Sequence, residues 1–125
     1  MFRHGTAFSS FAVSDIDAAK RFYEKTLDFG VAPGEMGTLE LDVGDGTKVF
    51  VYPKPDHAPA TFTVLNLPVD DIDVAVDALA ARGVRFEHYE GEIRTDAKGI
   101  SRGHGPKMAW FKDPAGNILS VLETR

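Results

Sequence analysis

With 125 residues, 43% of them apolar and 26% charged, the chain has the make-up of one globular domain, or of two half-size modules, and enough apolar material to bury a core. Cysteine is absent, which excludes disulfides, thiolate metal ligands and cysteine nucleophiles. A net charge of −5 argues against non-specific nucleic-acid binding, no run is long enough to span a bilayer, and Met1 to Phe11 lacks the apolar stretch of a signal peptide, so the cytoplasm is the expected compartment.

Phe8 to Val13 has strand character and leads into Ile16, Ala19, Phe22, Tyr23 and Leu27 at helical spacing. Ser14 is the expected N-cap, with Asp17 three residues on in a capping-box-like arrangement. Asp28-Phe29-Gly30-Val31 reads as the stop, with Gly30 in the left-handed cap. Thr38 to Val43 and Lys48 to Tyr52 are predicted antiparallel strands joined by a hairpin turn at Gly44-Asp45-Gly46. A linker rich in proline follows, with Pro53, Pro55 and Pro59 around His57.

The second half restarts the pattern. Val69-Asp70-Asp71-Ile72-Asp73 repeats Val13-Ser14-Asp15-Ile16-Asp17 at a distance of 56 residues. A strand over Thr61 to Val69 leads into a helix marked by Ile72, Ala75, Val76 and Leu79, with Asp70 as the expected cap and a stop at Arg82-Gly83-Val84. Val84 to Tyr89 is predicted as a strand, Glu90 to Pro106 as a long loop, and Lys107 to Lys112 and Ile118 to Leu122 as the last strands. Asp113-Pro114-Ala115-Gly116-Asn117 between them is a turn by composition. The tally is an α+β fold of two βαβββ modules in one 1–125 domain, module 1 over about 6–54 and module 2 over about 60–125.

The strand ending in Ala12-Val13-Ser14-Asp15, the helix exit Phe22 to Phe29, the internal repeat and Trp110 to Asn117 before a final strand together resemble the vicinal oxygen chelate superfamily of glyoxalase I, extradiol dioxygenases, and fosfomycin- and bleomycin-resistance proteins. The resemblance covers roughly Phe8 to Glu123. It implies curved mixed sheets forming a cup, with metal ligands, in members that use a metal, on the first and last strands of each module. Counting from Asp15, Asp71 and Asn117 puts those positions at Phe8, Val64 and Ser120, with Phe50 as the repeat-related fourth. Phe, Phe, Val and Ser supply one neutral hydroxyl, whereas divalent sites use imidazole and carboxylate donors. Neither a metal nor a cofactor is therefore expected.

Strand parity then names the lining of that cup. Phe8, Ser10, Ala12, Glu40, Asp42, Phe50 and Tyr52 come from module 1; Phe62, Val64, Asn66, Met108, Trp110, Ile118, Ser120 and Leu122 come from module 2. The candidate ligand-binding residues are Phe8, Glu40, Phe50, Tyr52, Phe62, Val64, Met108, Trp110 and Ser120, joined by His104 from a loop rich in glycine able to fold over the mouth. His4 and His57 are expected to be solvated, and His88 to lie on a strand. The resemblance points to a metal-independent small-molecule binder that works as a homodimer on a small organic ligand. The alternative is an enzyme of the same superfamily with a non-standard or absent metal site, using Glu40, Tyr52, His88 or His104 as acid and base.

Overall fold

Eight strands and two helices alternate in the order of the sequence repeat, in a computed structural model that describes residues 1–103 and 105–124. Contacts divide the chain into two units, Met1–Ala58 and Pro59–Arg125. In the first, β1 (Ser9–Val13), α1 (Ile16–Arg21), β2 (Gly30–Pro33), β3 (Leu39–Gly44) and β4 (Thr47–Pro53) form a sheet of order β1-β4-β3-β2. The second repeats it with β5 (Thr63–Val69), α2 (Ile72–Ala81), β6 (Ile100–Ser101), β7 (Met108–Lys112) and β8 (Ile118–Glu123), in the order β5-β8-β7-β6. Each sheet is mixed, because the first and last strands of a module run parallel (β1 with β4, β5 with β8) and the remaining pairs antiparallel. Pro33 and Pro68 fall on edge strands, where a missing N–H costs no ladder bond.

In the first unit Phe11, Val13, Leu39, Leu41, Val49 and Val51 are buried on one side of the sheet together with Ala19 and Tyr23 of the helical segment. Tyr23 is fully buried, with its ring 5.9 Å from Phe11 and 6.1 Å from Phe29. In the second unit α2 packs on β7 and β8, and Ile72 and Val76 are buried with Ala109, Phe111, Leu119 and Val121. One face of each sheet is thus closed by a helix, and the alternate residues point to the other.

Several expectations shift by a residue or more. The helix N-caps are Asp15 and Asp71, not Ser14 and Asp70: Asp15 accepts from the N–H groups of Asp17 and Ala18, and Asp71 from that of Val74. A carboxylate offers more acceptor capacity than serine beside a helix dipole, so the second acidic residue of each repeat wins. Glu123 of β8 also accepts from the Ile72 N–H at 3.0 Å, tying the start of α2 to its own sheet. The first helix ends in a π-helical turn over Phe22–Thr26, closed by Leu27 N–H to Phe22 C=O. Its left-handed residue is Asp28 (φ 64°), while Gly30 already belongs to β2. Aspartate tolerates that region better than most side chains. Gly83 (φ 94°) stops α2 as expected. At the β3–β4 hairpin Asp45 (φ 51°) and Gly46 (φ 76°) form the two-residue loop, and the positive φ at both is what a type I′ turn requires.

Val84 to Tyr89 is not a strand. Phe86 makes a single bridge to Phe111, and the Glu87 N–H reaches Trp110 C=O at 2.8 Å. The fourth strand of the second sheet is instead the two-residue β6, inside the segment expected to be all loop. His88 accordingly sits outside any strand and is exposed. His57 departs from its expected solvation too: it is half-buried, and its Nε2 is shielded with no hydrogen-bond partner among the described residues.

The Asp113 turn has the structural role its composition suggests. Both Asp113 and Asn117 are buried, and the Asp113 carboxylate accepts from the backbone N–H groups of Ala115 and Asn117, each at 2.9 Å, and from Asn117 Nδ2 at 3.0 Å. These three bonds all lie within the turn. It fixes how β8 leaves β7.

Candidate functional site

Open faces of the two sheets carry the residues that parity selects. In the first unit Ser10, Phe50, Glu40 and Ala32 are successive register partners across β1, β4, β3 and β2, and Ala12 pairs with Tyr52 in the next row. Register partners share a face, so Glu40, Phe50 and Tyr52 lie on the side away from Leu41 and Val51. Phe8 precedes β1 and is 66% exposed, with its ring 4.8 Å from that of Phe50. The two rings flank a hollow of 430 Å³ that is also lined by Thr6, Gly46 and Lys48. Lys48 Nζ stands 3.6 Å from both Glu40 and Asp42. Neither carboxylate is therefore an isolated base, and in water such pairs contribute only about 0–1 kcal/mol.

In the second unit Asn66, Ser120 and Trp110 form one row across β5, β8 and β7, and Met108 and Leu122 pair in the next. Phe62, Trp110 and Ile118 line a hollow of 210 Å³ with Thr63, Tyr89 and Ile93. Tyr89 meets Trp110 edge-on at 5.5 Å between ring centroids. Burial beside the Glu87 charge raises the Tyr89 hydroxyl above its ordinary value of 10.0, keeping it protonated and able to donate at neutral pH. Phe62, 67% exposed, and Trp110, half-buried, leave aromatic faces available.

Val64 departs from the parity that selected it. The register runs Thr63 to Ile118 and then Leu65 to Leu119, so two steps on β5 match one on β8. Val64 is the extra residue of this β-bulge, and Thr63 takes its place in the row of Ile118. Ser120 is fully buried, and its hydroxyl donates to Asn66 Oδ1 at 2.6 Å, so any ligand senses it through Asn66. His104 lies outside the described residues. Thr63, Tyr89 and Ile93 are site residues that sequence reasoning missed. Tyr89 and Ile93, apolar side chains flanking a run of Glu and Gly, were the available signal for the last two.

The four positions at which related metal-using proteins hold their ion do not fit one here. Phe8, Phe50 and Val64 have no donor atoms, and the Ser120 hydroxyl is engaged by Asn66. Among the described residues no group of three or more His, Asp or Glu side chains is arranged to hold a metal. No helix among them is long and apolar enough to cross a membrane.

A third hollow, of 500 Å³, is lined by residues of the 91–103 segment, including Arg94, Asp96, Ile100 and Arg102. Arg102 clamps this segment to α2, 2.7 Å from Asp73 and 2.9 Å from Asp96, and Lys98 bridges Asp73 and Asp77. Hydrogen bonds from Arg102 and then Lys98 lower Asp73 from 3.8 to about 2. A depressed carboxyl stabilises the native state above its unfolded value and loses that contribution as pH falls through the native one. The clamp is thus expected to hold at neutral pH and to open as pH falls from about 4 to 2. A carboxyl-carbon NMR titration of Asp73 should have its midpoint near 2, and Arg102→Ala should return it toward 3.8; a wild-type midpoint near 3.8 would show that the clamp does not form in solution.

Paired βαβββ modules, each with one helix-covered and one open sheet face, define a class of α+β proteins built by internal duplication. The family model for the Glyoxalase/Bleomycin resistance protein/Dioxygenase superfamily matches residues 6–121, and the chain belongs to that superfamily. Among solved structures it is similar to TnmS3, an antibiotic binding protein from Streptomyces sp. CB03234, with 25% identity, a TM-score of 0.71, and coverage of 99% of this chain and 100% of that one. It is also similar to a glyoxalase/bleomycin resistance protein from the same Streptomyces, with 27% identity, a TM-score of 0.63, and coverage of 93% and 99% respectively. The fold alone is shared with the fosfomycin resistance protein FosX from Mesorhizobium loti, at 12% identity, a TM-score of 0.65, and coverage of 99% and 95%. No curated protein sequence gives a significant match.

Proposed function

We propose that this chain is a metal-independent binding protein for small, planar organic molecules. The observation that carries this is the hollow on the open face of the second sheet, where Phe62, Tyr89 and Trp110 surround 210 Å³ and, among the described residues, no charged side chain lines the wall. Hollows with mostly apolar and aromatic walls and a few polar atoms suit small organic ligands, and each aromatic contact contributes about 0.5–1.5 kcal/mol beyond burial. A solved relative at 25% identity is described as an antibiotic binding protein, which supports the same class of role. Phe8, Phe50 and Tyr52 offer a second aromatic surface on the first unit, and Glu40 with Lys48 a polar margin beside it. Two copies per assembly belong to the proposal, since edge strands β1, β2, β5 and β6 leave backbone groups for a partner to cover, and two-fold dimers are the commonest closed assembly.

Donor chemistry makes the test direct. Purified protein is expected to hold well under one equivalent of transition metal, to keep its melting temperature in EDTA, and to show no shift with Ni²⁺, Zn²⁺, Mn²⁺ or Fe²⁺. A screen of aromatic metabolites and antibiotics by thermal shift, with mass spectrometry of whatever co-purifies, should return planar ligands. Stoichiometric metal bound tightly by the purified chain would move the protein to the enzymes of its superfamily. Light scattering of the same sample should give twice 13.6 kDa, and a single-chain mass at micromolar concentration would remove the dimer from the proposal.

A further inference from the structure

The row Asn66–Ser120–Trp110 places one polar pair beside an aromatic ring. Ser120 is fully buried, so the hydrogen of its hydroxyl needs an acceptor, and the Asn66 carboxamide oxygen supplies it at 2.6 Å. With Oδ1 held in this way, the amide nitrogen turns its two N–H donors away from Ser120. Asn66 itself is exposed, and Ser120 is the only hydrogen-bond partner its side chain has among the described residues. The neighbouring row toward the C-terminal end of β5 is Pro68, Leu122 and Met108; on the other side lie Thr63, Ile118 and Lys112, whose ammonium faces Glu87 at 4.0 Å. Trp110 shares the row with the amide and also lines the aromatic hollow.

We infer that Asn66 is a specificity-determining residue: its carboxamide, oriented by Ser120, donates a hydrogen bond to a neutral carbonyl-type oxygen on a planar ring system held against Trp110. This rests on the proposed role as a binder of planar molecules and adds the functional group such a molecule must carry. The donor is uncharged, no cation shares its row, and the Lys112 ammonium of the next row is already drawn to Glu87, so an anionic group gains little there, whereas a ketone, quinone or amide oxygen gains a neutral donor beside Trp110. Ligands lacking the oxygen leave the amide unpaired on binding, and a hydrogen bond of ordinary strength corresponds to about a fivefold difference in affinity. The same contact reads against ligands that present only donors.

Fluorene and 9-fluorenone are neutral, planar and nearly equal in size, and differ in one carbonyl oxygen. Equilibrium dialysis of both against the full chain should show each binding, and the ratio of their dissociation constants should change at least about fivefold in favour of fluorene when Asn66 becomes aspartate. Asn66→Asp keeps the shape and the acceptor for Ser120 but has no donor. Asn66→Leu should give the same loss, checked by circular dichroism for folding, and Ser120→Ala a smaller one because the amide is then free to turn. Trp110→Ala should weaken both probes by the same factor and leave the ratio alone. If both probes bind and the ratio is unchanged in Asn66→Asp and Asn66→Leu, the Asn66 assignment is overturned while the aromatic binding site stands. If neither probe binds the wild-type chain, both are overturned.

Discussion

Replacing Phe111 by alanine is expected to destabilise the protein by about 3–5 kcal/mol, the usual cost of emptying a fully buried aromatic site. Phe111 has no exposed surface, packs edge-on against Phe86 at 5.6 Å, and lies on the side of the second sheet that α2 covers. Phe86 belongs to the segment that failed to become a strand, so the mutation also removes the main apolar anchor of residues 84–89. For a chain of this length a loss of that size lowers the unfolding midpoint by roughly 10–20 °C. Calorimetry checks it. A drop of only a degree or two would mean that the second unit repacks around the gap.

Its neighbour should behave in the opposite way. Trp110 points to the open face, is half-buried, and meets Tyr89 edge-on, so Trp110→Ala is expected to cost only about 1–2 kcal/mol of stability. The same change removes the largest aromatic wall of the hollow, and fluorene should bind at least about tenfold more weakly, equivalent to about 1.4 kcal/mol. Because Trp110 is the only tryptophan, quenching of its fluorescence reports binding to the wild type, and dialysis must report it for the variant. Undiminished binding by the variant would place the ligand elsewhere, with the Phe8–Phe50 surface of the first unit the next place to look. Two adjacent residues on one strand thus separate folding from function.

What could be read in the sequence was what depends on period and local chemistry. Leu39, Leu41, Val49 and Val51 alternate with Glu40, Asp42, Phe50 and Tyr52 strictly enough to name both faces of the first sheet, and the structure buries the first set while the second lies on the open face. The strand order was implicit in the repeat, because two copies of one element string take one topology. What could not be read depends on pairing between distant segments. Val84 to Tyr89 has the apolar alternation of a strand, yet only Phe86 finds a bridge partner while Ile100–Ser101 pairs with β7. Two residues carry no period of their own. The N-caps moved by one place because Ser14-Asp15 and Asp70-Asp71 each offer two acceptors, and only backbone geometry chooses between them. Val64 illustrates the same limit within the site, since nothing in Thr63-Val64-Leu65-Asn66 marks an inserted residue.

That bulge has a bearing on how such a chain diversifies. Because Thr63 and Leu65 already pair with Ile118 and Leu119, loss of the Val64 codon would remove the bulge and its bend while leaving both Thr63 and Asn66 in register. Phe62 at the rim and Thr63 in the wall would keep their faces, but the strand that carries them would straighten. A length change of one residue is then a coarse control on pocket shape, and point substitutions at Asn66 and Trp110 a fine one on its chemistry. Both controls lie on one edge strand of this chain and its neighbours.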